Sequence, residues 1–320
     1  MSTKPAASLS LDADNLWSYL KIRGDESWRS RPTYLPIFVP HVLEILDRIG
    51  VRITFFIVGA DAVDHHNTTH LRALAAAGHE VGNHSFEHEP WLHQYSPEEV
   101  RRELGKAHAA IHAATGQAPI GFRGPGFSWS SDVLAAVADQ GYVFDASTFP
   151  TFLGPLARAY YFWTAKLSRE EREERKALFG RFSEGFRPLR PYRWVLPGGR
   201  ELLEIPVTTM PVFRVPFHLS YLLYLARFSE SVMSAYLATA LTMCKLTRTE
   251  PSILLHPLDL LGGDQVPQLR FFPGMDLVAE RKTRLFIAVI ERLARSFELL
   301  PMGEHARRMS QRPLRIRVPS

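Results

Sequence analysis

Apolar and polar positions along this chain follow two rhythms that replace one another repeatedly. Ser8–Asp12, Arg52–Val58 (RITFFIV), His79–Asn83, Pro119–Phe122 and Tyr142–Asp145 are short runs that read as buried strands. Helical patterns lie between them. Val39–Arg48 sets Val42, Leu43, Ile45 and Leu46 on an apolar face. Thr68–Ala77 stops at Gly78, a glycine in the position that ends helices. A helix to Thr115 opens on Ser96 as N-cap with Pro97 at its first position, and Ser131 caps another that runs to Gln140. After an interruption the order resumes: Glu201–Val207 as strand, Leu219–Leu246 as largely helix, Ser252–His256 as strand, Asp276–Ala294 as a long helix and Phe297–Leu300 as a last strand. Strand–helix alternation sustained this far predicts a parallel α/β architecture. A distorted (β/α) barrel of about seven strands fits better than an open sheet, because no glycine-rich phosphate loop follows the first strand. The interruption, about 151–200, is rich in aromatics, Arg, Pro and Gly and reads as an insertion with one charged helix, Arg169–Leu178, and irregular flanks.

Composition narrows the chemistry. The 320 residues suit one large domain or two small ones, and the reading adopted is a single catalytic domain over 1–304. Cys244 is the only cysteine, so a disulfide framework and cysteine-based zinc modules are excluded, and any metal site must use His, Asp and Glu. The net charge of +5 suggests an acidic partner. Its distribution changes that. Residues 305–320 carry five arginines and no acid, so residues 1–304 are balanced, and within them the insertion is basic. The tail reads as basic and disordered. No secretory segment and no apolar stretch of the roughly 20 residues a spanning helix needs is visible, which leads to an expectation of a cytoplasmic protein. No nucleic-acid-binding motif accompanies the charge, so nucleic acid is not an expected partner.

Polar residues gather where strands end. Asp12 and Asp14 follow the first strand and, two apart, point to the same side of an extended chain. Asn83-His84-Ser85-Phe86-Glu87-His88 follows the third, Phe122-Arg123-Gly124-Pro125-Gly126 the fourth, and His256-Pro257-Leu258-Asp259 the SILLH strand. Each alone has a plain structural explanation. A strand-end Asp caps the next helix, two His four apart form a solvated turn, and His65-His66-His70 shows that histidine pairs arise by chance in a chain with thirteen. Their ordered convergence at the strand ends, where α/β barrels carry their active sites, favours a site.

The segments SLSLDADN, ITFFIVG, GHEVGNHSFEH, GFRGPGF, GYVFDAST and ILLHPLD, in this order, resemble the polysaccharide deacetylase family (carbohydrate esterase family 4, the NodB-homology domain). The resemblance spans residues 8–150 strongly and 200–300 more loosely. It implies a distorted (β/α) barrel and a metal-dependent hydrolase of amides or esters on N-acetylated sugars, with a divalent metal, for which zinc is the expectation. His84 and His88 match the two metal-binding histidines and Asp14 stands for the metal-binding Asp. Asp12 matches the general base, Arg123 the residue that holds it, and His256 the general acid. The commonest family opening has adjacent aspartates. Asp12-Ala13-Asp14-Asn15 departs from it, so the division of base and ligand between Asp12 and Asp14 stays open. Asp259 is a candidate for orienting His256 or for capping the next segment. Pro125, Phe127, Trp129 and Asp259 are the candidate substrate-binding residues, and Asp145, Glu204 and Trp194 are weak counterparts of a late family motif.

The expected substrate is an N-acetylated sugar or glycan. The general layout is also similar to enzymes acting on lipid-linked sugars at the inner membrane face. The insertion's Tyr160-Tyr161-Phe162-Trp163, Phe179, Phe182, Phe186, Tyr192 and Trp194, interleaved with Arg and Lys, suit an anionic membrane surface or, equally, an ordinary small core. The rival readings are a deformylase or another C–N amide hydrolase of the same fold, and a non-enzymatic glycan-binding or scaffold protein.

Overall fold

The computed structural model describes residues 4–156 and 182–319. Seven strands form the wall of the expected barrel. They are β1 (Ala6–Asp12), β2 (Thr54–Ile57), β3 (Glu80–Asn83), β4 (Gly121–Phe122), β5 (Phe144–Asp145), β7 (Glu201–Glu204) and β8 (Ser252–Leu255). All run parallel, in the order β7-β5-β4-β3-β2-β1-β8. The wall closes without a full ladder: just beyond β7, the Thr208 N–H donates to Ser252 O at 3.0 Å, and the Ser252 N–H donates to Thr208 Oγ1 at 2.8 Å. β4 and β5 pair over only two residues, so the barrel is distorted there.

Helices cover the outside. The first set is α1 (Leu16–Arg23), α2 (Leu35–Arg48), α3 (Gly59–Ala62), α4 (His65–Ala76), α5 (Pro97–Thr115) and α6 (Ser131–Asp139). The second is α7 (Leu219–Ala226), α8 (Glu230–Leu246), α9 (Ala279–Ser296) and α10 (Met302–Ser310). Capping chemistry decides several limits. Ser96 and Glu99 form a reciprocal capping box at α5, satisfying donors that the helix itself leaves free. Ser130, one residue before the expected Ser131, caps α6 by accepting the Val133 N–H. The expected helix over Leu219–Leu246 is two helices, because Ser229 accepts the Val232 N–H and starts a new one.

Two expectations are corrected. The flank of the insertion is not irregular: β6 (Tyr192–Val195) runs antiparallel to β7, and its Tyr192 and Trp194 are buried in a cluster with Trp129, Phe122 and Leu134. The one charged helix expected in the insertion, Arg169–Leu178, lies outside the described residues. The tail expected to be disordered is built into the fold. Met302, Ala306 and Met309 on α10 pack with Phe56, Phe144 and Ile205, and β10 (Arg315–Arg317) pairs with β6. β9 (Glu298–Leu300) joins the first half of β1. The apolar stripe of α10 recurs at three- and four-residue spacing, while its arginines face outward and pair with acids. Arg308 meets Glu298 at 2.8 Å, and beyond the helix Arg312 meets Glu250 at 2.9 Å.

Candidate active site

β1 delivers Asp12 and Asp14 to the C-terminal rim of the barrel. Asp12 is its last residue, and the Ala13 N–H still donates to Phe56 O on β2. Asn15 then caps α1, its Oδ1 accepting from Leu16 N, while its Nδ2 donates to Asp61 Oδ1 at 2.8 Å. Asp61 Oδ1 also accepts from Trp17 Nε1 at 2.9 Å. The Tyr34 hydroxyl donates to the Asp14 carbonyl. The short loop bearing Asp14 is therefore held from three sides.

The two histidines come from the loop after β3. Ser85 and His88 have φ of 61° and 54°, in the left-handed region that L side chains seldom adopt. Asn83 holds this turn: its Oδ1 accepts the Ser85 N–H at 2.8 Å, and its Nδ2 donates to Tyr142 Oη and Leu104 O. Ser85 Oγ accepts the His88 N–H at 3.1 Å. The turn brings both rings to 5.0 Å between centroids. Strain of this kind concentrates at functional sites, and here it turns two histidines toward one carboxylate.

Asp14 Oδ1 stands 3.4 Å from His84 Nε2 and 2.9 Å from His88 Nε2, and the three ligand atoms lie within 4.8 Å of one another. The residues fit a metal by a specific criterion. Asp14 Oδ1 is buried and makes no well-aligned hydrogen bond among the described residues, and its near neighbours are the two histidine nitrogens, an arrangement that a shared cation would satisfy. His84 meets the second requirement: its Nδ1 is engaged at 2.7 Å by the Arg123 carbonyl, which fixes the tautomer and leaves Nε2 as the ligand atom. Burial works to raise the Asp14 carboxyl, but the neighbouring charges of His88 and His84 outweigh it and hold the group well below the usual carboxylate range. A second grouping, Asp64, His65 and His66, lies exposed at the start of α4, with Asp64 already accepting the His66 N–H.

Asp12 is set apart from Asp14 by its partner. Arg123, fully buried, donates from Nη1 to Asp12 Oδ1 at 2.6 Å and to Ser10 Oγ at 2.9 Å. Its Nε donates to Ala146 O, and its guanidinium lies 4.4 Å from the Phe56 ring centroid. The other Asp12 oxygen is 3.9 Å from His84 Nε2. The structure thus separates the two aspartates left open by the spacing: Asp14 faces both histidines and Asp12 faces the arginine.

His256 follows β8 and is half-buried. Asp259 and His256 form a reciprocal capping box, in which the Asp259 backbone N–H donates to the His256 side chain. The Asp259 carboxylate completes the cap, its Oδ2 accepting the His256 backbone N–H at 2.9 Å and its Oδ1 accepting from Ser220 Oγ at 2.6 Å, so Asp259 both caps this turn and touches His256. Of the candidate substrate-binding residues, Pro125 is buried beside Arg123 and Phe127 stacks on Phe149 at 4.7 Å. Trp129 belongs instead to the second core cluster, against Trp194 and beneath the Arg187 guanidinium. Asp145, Glu204 and Trp194 do meet. Trp194 Nε1 donates to Glu204 Oε2, and burial raises both carboxyls, which face each other across β5 and β7.

Several contributors carried no signal in the sequence reading. Ser10 precedes Asp12 as an ordinary strand residue, and Asp61 and Tyr34 lie far from any motif. Tyr19 is buried within the fields of Asp14, Asp259 and Asp12, with burial the larger cause of its raised phenol. His218 stands two residues before Ser220. A buried Asp after a glycine, as in Val58-Gly59-Ala60-Asp61, was the one pattern that could have been noticed.

Comparison with known proteins agrees with this geometry. Residues 26–144 match the family model described as Polysaccharide deacetylase. Over 107 residues the chain is 38% identical to a chitooligosaccharide deacetylase of Sinorhizobium fredii, covering 33% of this chain and 48% of that protein. Over 86 residues it is 35% identical to a peptidoglycan-N-acetylglucosamine deacetylase of Listeria monocytogenes, covering 27% of this chain and 18% of that one. The chain thus spans about half, or less, of the length of these relatives. A polysaccharide deacetylase-type crystal structure from Mycobacterium smegmatis superposes with a TM-score of 0.60 at 18% identity, covering 98% of this chain and 94% of that one, a likeness of fold. The chain is thus similar to the polysaccharide deacetylase family over residues 26–144, from ahead of β2 to the start of β5, and its fold is like that of the Mycobacterium smegmatis structure.

Proposed function

We propose that this chain is a metal-dependent hydrolase that removes the N-acetyl group of a sugar or glycan. One observation carries the reading: a buried Asp-His-His grouping with an orphaned carboxylate oxygen sits beside a second aspartate locked by a buried arginine. Asp14, His84 and His88 would hold the metal, and a two-histidine, one-carboxylate set suits zinc. Such an ion supplies Lewis-acid polarisation of the amide and a lowered pKa for water.

The remaining work falls to the protein. Asp12 is the general base. Arg123 holds it through Oδ1, which leaves Oδ2 to accept the proton of the attacking water. His256 is the general acid for the leaving amine, its backbone fixed by Asp259. The relatives' names, chitooligosaccharide and peptidoglycan-N-acetylglucosamine deacetylase, support an N-acetylglucosamine-containing substrate.

A finer reading places a lipid-linked glycan at the inner face of an anionic membrane. Phe182, Phe186, Val212 and Phe213 are exposed, with Arg187 and Arg214 alongside, a mixture suited to headgroups. The buried Tyr192 and Trp194 take no part in it. Among the described residues, no helix is long and apolar enough to cross a membrane.

The test combines metal analysis with amine release from N-acetylated oligosaccharides, soluble and lipid-linked. Asp12→Asn and His84→Ala should each lower turnover by about 10²–10⁴-fold without unfolding the protein. His84→Ala should also lower metal content, whereas Asp12→Asn should not. Purified protein that takes up no divalent metal would sink the enzyme reading. Failure to sediment with anionic vesicles would remove the membrane reading alone.

A further inference from the structure

His218 has no part in the machinery just described, yet its position is tied to it. It precedes the first turn of α7, and its ring Nδ1 accepts the Leu254 N–H on β8 at 3.4 Å. Two residues beyond Leu254, just past the end of β8, is His256. Two residues further on α7 is Ser220, which donates to Asp259, the residue that fixes the His256 backbone. On its other side the His218 ring lies 5.5 Å from the ring of Phe149, which stacks on Phe127 in the loop after Arg123. The ring therefore bridges the two ends of the rim, between His256 and the Arg123 loop.

The hydrogen bond from Leu254 assigns the tautomer. A nitrogen that accepts a backbone N–H carries no proton, so the neutral ring carries its proton on Nε2. Nε2 is buried and has no hydrogen-bond partner among the described residues. Burial, reinforced by the positive charges of His256 and Arg123, pushes the imidazole down to about 3, so the ring stays neutral in the working range. A buried donor left without a partner is costly, and in native structures such a group calls for a specific explanation.

We infer that His218 is a specificity-determining residue whose Nε2–H donates to an uncharged oxygen of the substrate sugar beside the scissile amide. The inference rests on the deacetylase reading. It adds a neutral donor that recognises substrate without exchanging a proton, in contrast to His256.

Two substitutions separate the ring's nitrogens. His218→Gln keeps an amide donor near Nε2 but gives up the Leu254 bond. His218→Asn keeps an acceptor for Leu254 but cannot reach the Nε2 position. On N-acetylglucosamine oligomers, His218→Asn should lower kcat/KM about ten-fold and His218→Gln less than three-fold, with no new ionisation in either pH profile. Equal activity of His218→Asn and the parent would overturn the inference, since the orphan would then be satisfied by a structural water.

A measurement free of turnover separates this idea from the one beneath it. In ¹⁵N-labelled Asp12→Asn protein, the His218 Nε2–H resonance should persist from pH 5 to 8 and shift on adding N,N′-diacetylchitobiose. A resonance that does not respond, in a protein whose parent deacetylates the sugar, sinks the role of His218 only. A parent inactive on every N-acetyl sugar sinks the deacetylase reading, and the titration then decides on His218 alone.

Discussion

Asp61 shows how far the site extends below the residues that meet substrate. Its Oδ1 holds both Asn15 and Trp17, the first and third residues after Asp14 in the chain, and its Oδ2 is orphaned. Burial is the dominant influence and raises the carboxyl to about 7, against the donors that would lower it. The sign of the consequence follows. Between the unfolded value of 3.8 and the folded value of about 7, the native protein keeps a proton that the unfolded chain has lost. This group's contribution to stability is therefore greatest at low pH and declines as pH rises through that window, by at most about 1.4 kcal/mol per pH unit. Asp61→Asn keeps a side-chain oxygen for Asn15 and Trp17 and removes the titration. Its urea-unfolding free energy should vary less between pH 4 and 7 than the parent's. An identical slope in both proteins would show that Asp61 does not titrate there.

Elements matter here chiefly through how closely they approach. α3 begins at Gly59 directly after β2 and lies against α5. A Cβ on Gly59 would stand 2.6 Å from the Phe86 ring and 2.8 Å from the Ala107 Cα, and the second of these is backbone that cannot swing aside. Gly59→Ala should therefore destabilise by about 1–3 kcal/mol through overpacking. It should also lower activity, because Phe86 lies in the loop between His84 and His88. A denaturant midpoint equal to the parent's would show that α5 yields more easily than its packing suggests. At the same scale, the helices and strands of the first half were readable because each carries its own punctuation. Ser96-Pro97 and Gly116 bracket α5 through local capping chemistry. β6 was not readable. Tyr192-Arg193-Trp194-Val195 is surrounded by Arg, Pro and Gly, and only its pairing with β7 makes it a strand.

For the molecule as a whole, the tail reverses its apparent character. Its five arginines and lack of acids pointed to a solvated, disordered end, but the acids that pair with them lie elsewhere in the chain. Arg308 meets Glu298, Arg312 meets Glu250, and His305 is fully buried with Nδ1 2.9 Å from Ser8 Oγ on β1. The Met302 N–H donates to Thr54 Oγ1 on β2, and its sulfur lies 3.5 Å from Arg123 Nη2, so the helix that leads into the tail reaches the support of Asp12. Deleting residues 302–320 should expose Phe56 and Phe144 and abolish the cooperative thermal transition, since losing Met302 alone should cost about 2–5 kcal/mol. A truncated protein that melts at the parent's temperature would contradict this. The positive charge of the whole chain then says less about a partner than its total suggests, because much of it is spent on internal pairs.

The sequence by itself determined the alternation of strands and helices and the rim positions of Asp12, Asp14, His84, Arg123 and His256. Both follow from local chemistry: hydrophobic period, caps and turn residues act within a few positions, and strand ends in a parallel barrel share one rim. It did not decide which aspartate faces which partner, because Asp12 and Asp14 differ only in what stands opposite them. Arg123 reaches Asp12 across 111 positions of chain, and the strained turn at Ser85 and His88 swings both imidazoles to Asp14. Nor did it decide the protonation of Asp61 and His218 or the order of the tail. Burial and long-range pairing set those, and both are properties of the packed molecule, not of any segment of its sequence.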